Sequence, residues 1–136
     1  MNFLTEDDFG VQIRTEVLSV LTVSTTSLDI AENMAQEQIT SYISTRYDAA
    51  ATFSATGVDR NPLIIMYMID LLLYHLHSNT AGRVIPKHRE DRYAAAIDWL
   101  TKVNSGDLIP TLTAIAATTP DPIFRFGSDW KYSNRW

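Results

Sequence analysis

The sequence predicts an all-α fold, a small helical bundle of four to five helices with an extended C-terminal arm. Three observations carry that prediction. Apolar residues recur at spacings of three and four in two long stretches, Pro and Asn-Pro steps open helices where such stretches begin, and beyond Asp107 prolines and scattered aromatics replace the helical period. The division is therefore a helical domain over 1–106 and an arm over 107–136.

Taken in order, Thr5-Glu6-Asp7-Asp8 places a capping hydroxyl three residues before an acid and opens a short helix ended by Gly10. Val11 to Val20 carries a mixed apolar period, moderately helical, and its β-branched residues keep a strand open. Thr22 to Thr26 reads as a loop. A long helix follows, with Ala31, Met34, Ala35, Ile39, Tyr42 and Ile43 on one face, polar Glu32, Gln36, Glu37 and Thr40 between them, and an end near Arg46-Tyr47-Asp48. Ala49 to Gly57 reads as a second loop.

Asn61-Pro62 then starts a helix in which Asn can cap and Pro loses no needed donor. From Leu63 to Leu76 its apolar residues cover nearly the whole circumference, so it is expected at the centre of the core. Pro86 opens the last helix, Tyr93, Ala96, Ile97, Leu100 and Val103 form its inner stripe, and Gly106 closes it after Lys102. Pro110, Pro120 and Pro122 interrupt any later helix. An arm of about thirty residues could span on the order of 100 Å at ~3.3 Å per residue. Within it Trp130, Tyr132 and Trp136 share a face if the chain is extended, and with Phe124 and Phe126 they are the expected protein-interface residues.

Composition removes several classes of function. There is no cysteine, hence no disulfide scaffold, thiolate metal site or cysteine nucleophile. The N-terminus lacks the basic and apolar regions of a secretory signal, and the apolar run 63–76 is too short to span a bilayer and contains Asp70 and His75, so synthesis in the cytoplasm and no membrane partner are expected. Residues 1–59 hold nine acids and two bases (net −7), and residues 60–136 hold seven acids and nine bases (net +2). That balance disfavours tight sequence-general binding to nucleic acid, which needs Lys and Arg to neutralise phosphates. It allows the acidic half of one copy to face the basic half of another.

Candidate chemistry is sparse. His75 and His77, two positions apart on a helix, point in different directions and do not form a metal pair. Asp70 within an apolar helix must be paired, solvated or neutral, and Arg46, Arg60 and Arg92 are its candidate partners in a structural salt bridge. Asp70 is assigned to the structural core together with Arg46, Tyr74 and Trp99. Arg83, Lys87, Arg89 and Arg92 cluster around the start of the last helix, but Glu90 and Asp91 interrupt them, so a solvated or interface face is expected there rather than a phosphate site. No phosphate loop or nucleophile elbow occurs. A hydrolase built around Asp70, Glu90 or Asp91 would lack convergent groups. The expectation is a protein that is not an enzyme and takes no cofactor or metal.

Four stretches in this order resemble a family from Mu-like prophages and tailed phages: Leu4-Thr5-Glu6-Asp7-Asp8-Phe9, then Ile39 to Asp48, then Asn61-Pro62 with Asp70 and Tyr74-His75-Leu76, then Tyr93 to Leu100 with Asn104-Ser105-Gly106. The likeness covers about residues 3 to 109, and Phe124-Arg125-Phe126-Gly127-Ser128 resembles the tails of some relatives. What it implies is a head-tail connector, or head-completion, protein: a homo-oligomeric ring, often twelvefold, at the head-tail interface of the virion. Its partners would be the portal protein and a tail-side connector or stopper protein, with DNA only passing through. The long connection from Ala49 to Arg60 departs from the pattern. A soluble protein-binding or chaperone-like module, with the apolar helix holding a partner peptide, is the alternative.

Overall fold

A computed structural model describes residues 2–21, 24–79 and 84–116. Among them the chain forms six α-helices, α1 (Glu6–Phe9), α2 (Thr15–Leu21), α3 (Thr25–Ile43), α4 (Ala49–Ser54), α5 (Pro62–Ser78) and α6 (Lys87–Ser105), with one 3-10 turn, Gly57–Asp59, before α5. The fold is all-α, as expected, with one short helix, α4, that periodicity does not mark. α3, α5 and α6 pack against one another and form the body.

The central helix starts as its sequence dictates: Asn61 accepts from the N–H groups of Leu63 and Ile64, and Pro62 occupies the first turn. Ile64, Met68, Ile69, Leu71, Leu72, Leu73 and Leu76 are buried, so nearly every side of α5 meets another part of the chain. From α3 come Ala31, Ala35, Ile39 and Ile43, four apart, and from α6 come Ala96, Leu100 and Val103. Burial of such side chains stabilises by roughly 1.5–3 kcal/mol each, which makes this the main source of stability.

Several expectations are corrected. Ala49 to Ser54 is helix rather than loop, because the Asp48 carboxylate accepts from the Ala51 N–H at 2.9 Å and three alanines, the best helix formers, follow. Thr25 and Thr26 belong to α3, capped by Ser24 through the Ser27 N–H, while residues 22 and 23 lie outside the described residues. Val11 to Val20 resolves as turns and a helix, α2, not a strand. Met34 is 49% exposed, so the inner stripe of α3 is narrower than its apolar residues suggest. Gly10 has φ −57, an ordinary right-handed value, and turns carry the chain on from α1 to bury Ile13.

Candidate interaction surfaces

The stretch Thr45-Arg46-Tyr47-Asp48 is a junction for three elements. Arg46 Nε and a terminal nitrogen donate to the carbonyls of Asn104 and Ser105, at 2.9 and 3.0 Å, so a cation closes the C-terminal end of α6, where unpaired carbonyls and the helix dipole favour positive charge. Gly106 makes this approach possible: its φ is 89, and a Cβ there would lie 2.9 Å from the Arg46 guanidinium carbon. Thr45 adds a hydroxyl bond to the Asn104 side chain. Tyr47 faces Ala114 in an antiparallel bridge, flanked by bonds from Asp48 N–H to Thr113 O (2.8 Å) and from Ile115 N–H to Arg46 O (3.1 Å). Asp48 also caps α4.

Residues 107–116, the beginning of the predicted arm, therefore lie along the body. Asn61 donates to Thr111 O and Leu112 packs on the core. In a bridge of this pattern the N–H and C=O of Ala114 point away from Tyr47, on the side that no strand covers among the described residues. The interface residues expected farther on, Phe124, Phe126, Trp130, Tyr132 and Trp136, lie outside the described residues.

The residues assigned to the core separate in the structure. Asp70 is buried, with its side chain 3% exposed, and accepts from Arg92 Nε at 2.6 Å; of the three candidate arginines, Arg92 is the partner. Arg46 is at the surface over the end of α6, and Arg60 serves Asp8. Tyr74 and Trp99 are half-buried in an aromatic seam between α5 and α6, where Tyr74 stacks on Tyr93 (4.0 Å between centroids) and Tyr67 on Trp99 (4.8 Å). Burial, aided by the charge of Asp70, pushes the Tyr67 phenol upward.

His75 and His77 do point apart. His75 Nε2 meets Gln38 Oε1 on α3 at 3.2 Å, and burial lowers its pKa from 6.5, whereas His77 Nδ1 turns back to Leu73 O on its own helix. The basic cluster is not one solvated face. Lys87 pairs with Asp91 in the open, but Arg89 is buried and donates to Gln12 O, because the turn after α1 packs over the start of α6. Burial lowers the Arg89 pKa from its usual value, partly offset by the charge of Asp70.

The polar group that sequence reasoning missed is Glu32. It is 1% exposed, and its two oxygens accept from the backbone N–H groups of Asn2, Phe3 and Leu4 at 2.8, 2.9 and 2.8 Å. A signal was present: Leu28, Glu32, Ala35 and Ile39 are spaced four, three and four apart, which puts the acid on the buried stripe. Nearby, Arg60 binds both Asp8 oxygens (2.6 and 3.1 Å) and the Phe3 carbonyl, with both side chains of the pair only about an eighth exposed, at 12% and 13%. Burial tends to raise the Asp8 pKa, but the bonds from Arg60 and Thr5 together outweigh it and hold the carboxyl below its usual 3.8.

Beside α1 the surface opens into a groove of about 370 Å³, lined by Asp7, Asp8, Val11, Gln12, Pro62, Ile65, Met66 and Ile69. Among the described residues no group of three or more His, Asp or Glu side chains could hold a metal ion, and no helix is long and apolar enough to cross a membrane.

The family model described as Bacteriophage Mu, Gp36 matches residues 3–122 of this chain. The chain belongs to the bacteriophage Mu Gp36 family. The matched stretch runs from the segment held by Glu32, through all six helices and the Arg46–Gly106 junction, past the last described residue of the docked arm. No curated protein and no solved structure matches it. The Gp36 family membership makes this a phage protein.

Proposed function

We propose that this Gp36-family protein is a structural, non-enzymatic head-tail connector of a tailed phage. Copies associate head to tail by rotation into a closed ring, twelvefold as the resemblance implies, between the portal protein and a tail-side connector or stopper protein of the virion, with DNA only passing through. Family membership supplies the phage setting. The observation that carries the reading is a surplus of anchor-type residues in the sequence: α3, α5 and α6 bury one another's apolar faces, and five large aromatics follow between Phe124 and Trp136, beyond the described residues. Large aromatics left in water are costly, and they are the residue types enriched at interface hot spots.

The buried and half-buried acids support a structural rather than catalytic role, since Asp70, Asp8 and Glu32 are held by Arg92, Arg60 and backbone N–H groups. The test is a deletion of residues 117–136, which spares the docked segment 107–116. Heads lacking tails and a loss of infectivity are expected, and normal joining by electron microscopy would defeat the arm. Native mass measurement with purified portal protein examines the ring separately: a strict monomer that ignores the portal counts against it. Absence of the protein from purified virions would favour a soluble binding module instead.

A further inference from the structure

The groove beside α1 has the chemistry to receive a specific segment of the same chain. Its lining is mainly apolar, from Val11, Pro62, Ile65, Met66 and Ile69, and Val11 is 93% exposed and Leu63, next to Pro62, 42% exposed. An apolar side chain so far into solvent beside an apolar groove is what an unoccupied docking site leaves open. The wall carries two acids: Asp7 is exposed, and Asp8 is held by Arg60. The wall also contains a polar group with a missing partner: Gln12 gives its amide N–H to Met66 O, and its Oε1 is buried with no donor among the described residues.

Residues 123–136, Ile-Phe-Arg-Phe-Gly-Ser-Asp-Trp-Lys-Tyr-Ser-Asn-Arg-Trp, match these features one by one. Five aromatics suit an apolar lining, and Arg125, Lys131 and Arg135 against the single Asp129 suit the exposed Asp7 in its wall. Seven residues, 116–122, precede Ile123, and extended at about 3.3–3.6 Å each they give the segment roughly 25 Å of reach from the docked base.

We propose that residues 123–136 of this chain occupy the groove between α1 and the start of α5, anchored by their aromatic side chains against Val11, Ile65 and Met66 and by their basic side chains at Asp7. This builds on the arm of the connector reading and names its seat.

The test uses the full-length chain with a photo-crosslinking amino acid replacing Val11 and, as a control, Val84, which is 92% exposed just before α6. The expected result is a dominant cross-link from position 11 to a peptide within 123–136, absent from position 84 and lost in W130A/W136A. Cross-links from position 11 to other segments only, to another protein only, or to 123–136 equally from both positions, would overturn the proposal. Mixing isotopically light and heavy copies before illumination separates this from the ring. Heavy-to-light cross-links place the segment on a neighbour, and cross-links only within one copy keep the groove assignment while removing the arm as a bridge between subunits. A ring that assembles with no such cross-link would leave the connector standing and the groove assignment refuted.

Discussion

The two ends of the described chain are attached to the same body by different means. Asn2 to Ile13 is held by buried charge: Glu32 on three consecutive N–H groups, Arg60 on Asp8 and the Phe3 carbonyl, Arg89 on the Gln12 carbonyl. Phe3, Leu4, Phe9 and Ile13 are buried beneath these bonds, and Phe3 meets Phe53 edge to face at 5.2 Å. Residues 107–116 are held by one bridge and a few backbone bonds, and most of their side chains are exposed. Hydrogen bonds to a buried charge are worth roughly twice neutral ones, and losing one partner leaves the other desolvated and alone. The N-terminal end is thus part of the cooperative unit, while the start of the arm can leave the body at small cost.

The comparison breaks most visibly at Glu32. Glu32→Ala leaves three backbone donors without their carboxylate and is expected to destabilise by about 3–5 kcal/mol, on the scale of 1–3 kcal/mol for each buried group left unsatisfied. Denaturant melts would show this as a lower midpoint, and hydrogen exchange should accelerate first in residues 2–13. A change under about 1 kcal/mol would mean that the clamp is not formed in solution.

Arg60→Ala comes next. It removes the pair with Asp8 and the bond to Phe3 O, at an expected cost of about 2–3 kcal/mol, below the ~3–5 kcal/mol of a fully buried pair losing one member because both side chains keep some contact with water. The same pair sets a pH dependence. Because the folded Asp8 pKa lies below its usual 3.8, the unfolded chain binds the proton more readily, so the contribution is fully present above about pH 4 and is lost as pH falls through the folded value. Acid unfolding of Arg60→Ala should therefore show a shallower loss below pH 4 than the unaltered protein. Equal slopes would remove Asp8 as a contributor.

At the other end the effect should be smallest. Ile115→Pro deletes the N–H that meets Arg46 O, and a cost of no more than about 1 kcal/mol is expected for an exposed backbone bond. Limited proteolysis between 107 and 116 should nevertheless speed up markedly while the melting midpoint barely moves. A global loss as large as that of Glu32→Ala would place the arm base inside the cooperative unit and end the contrast.

Much of the fold was readable because its signals are local. Asn61-Pro62, Pro86 and Gly106 mark helix ends within one turn of chain, and the apolar circumference of 63–76 required neighbours on all sides whatever they were. α4 was not legible because AAATFS, though it opens with three good helix formers, carries no amphipathic period. Of the expected site, Asp70 and its pairing were legible, but the choice of Arg92 over Arg46 and Arg60 was not. The partners of Glu32 were not legible, because all three are backbone groups, which no residue type announces.

What the sequence determined by itself is the all-α class, the starts and stops of the long helices, and the identity of the helix that would be enclosed, since capping, propensity and periodicity act within a few residues. What only the tertiary structure decided is which charge meets which: Arg92 lies 22 residues from Asp70, Leu4 lies 28 from Glu32, and Arg60 lies 52 from Asp8. A buried charge must find compensation, but one-dimensional spacing does not say where, because the partner is chosen by the packing of α3, α5 and α6 that first removes water from between them.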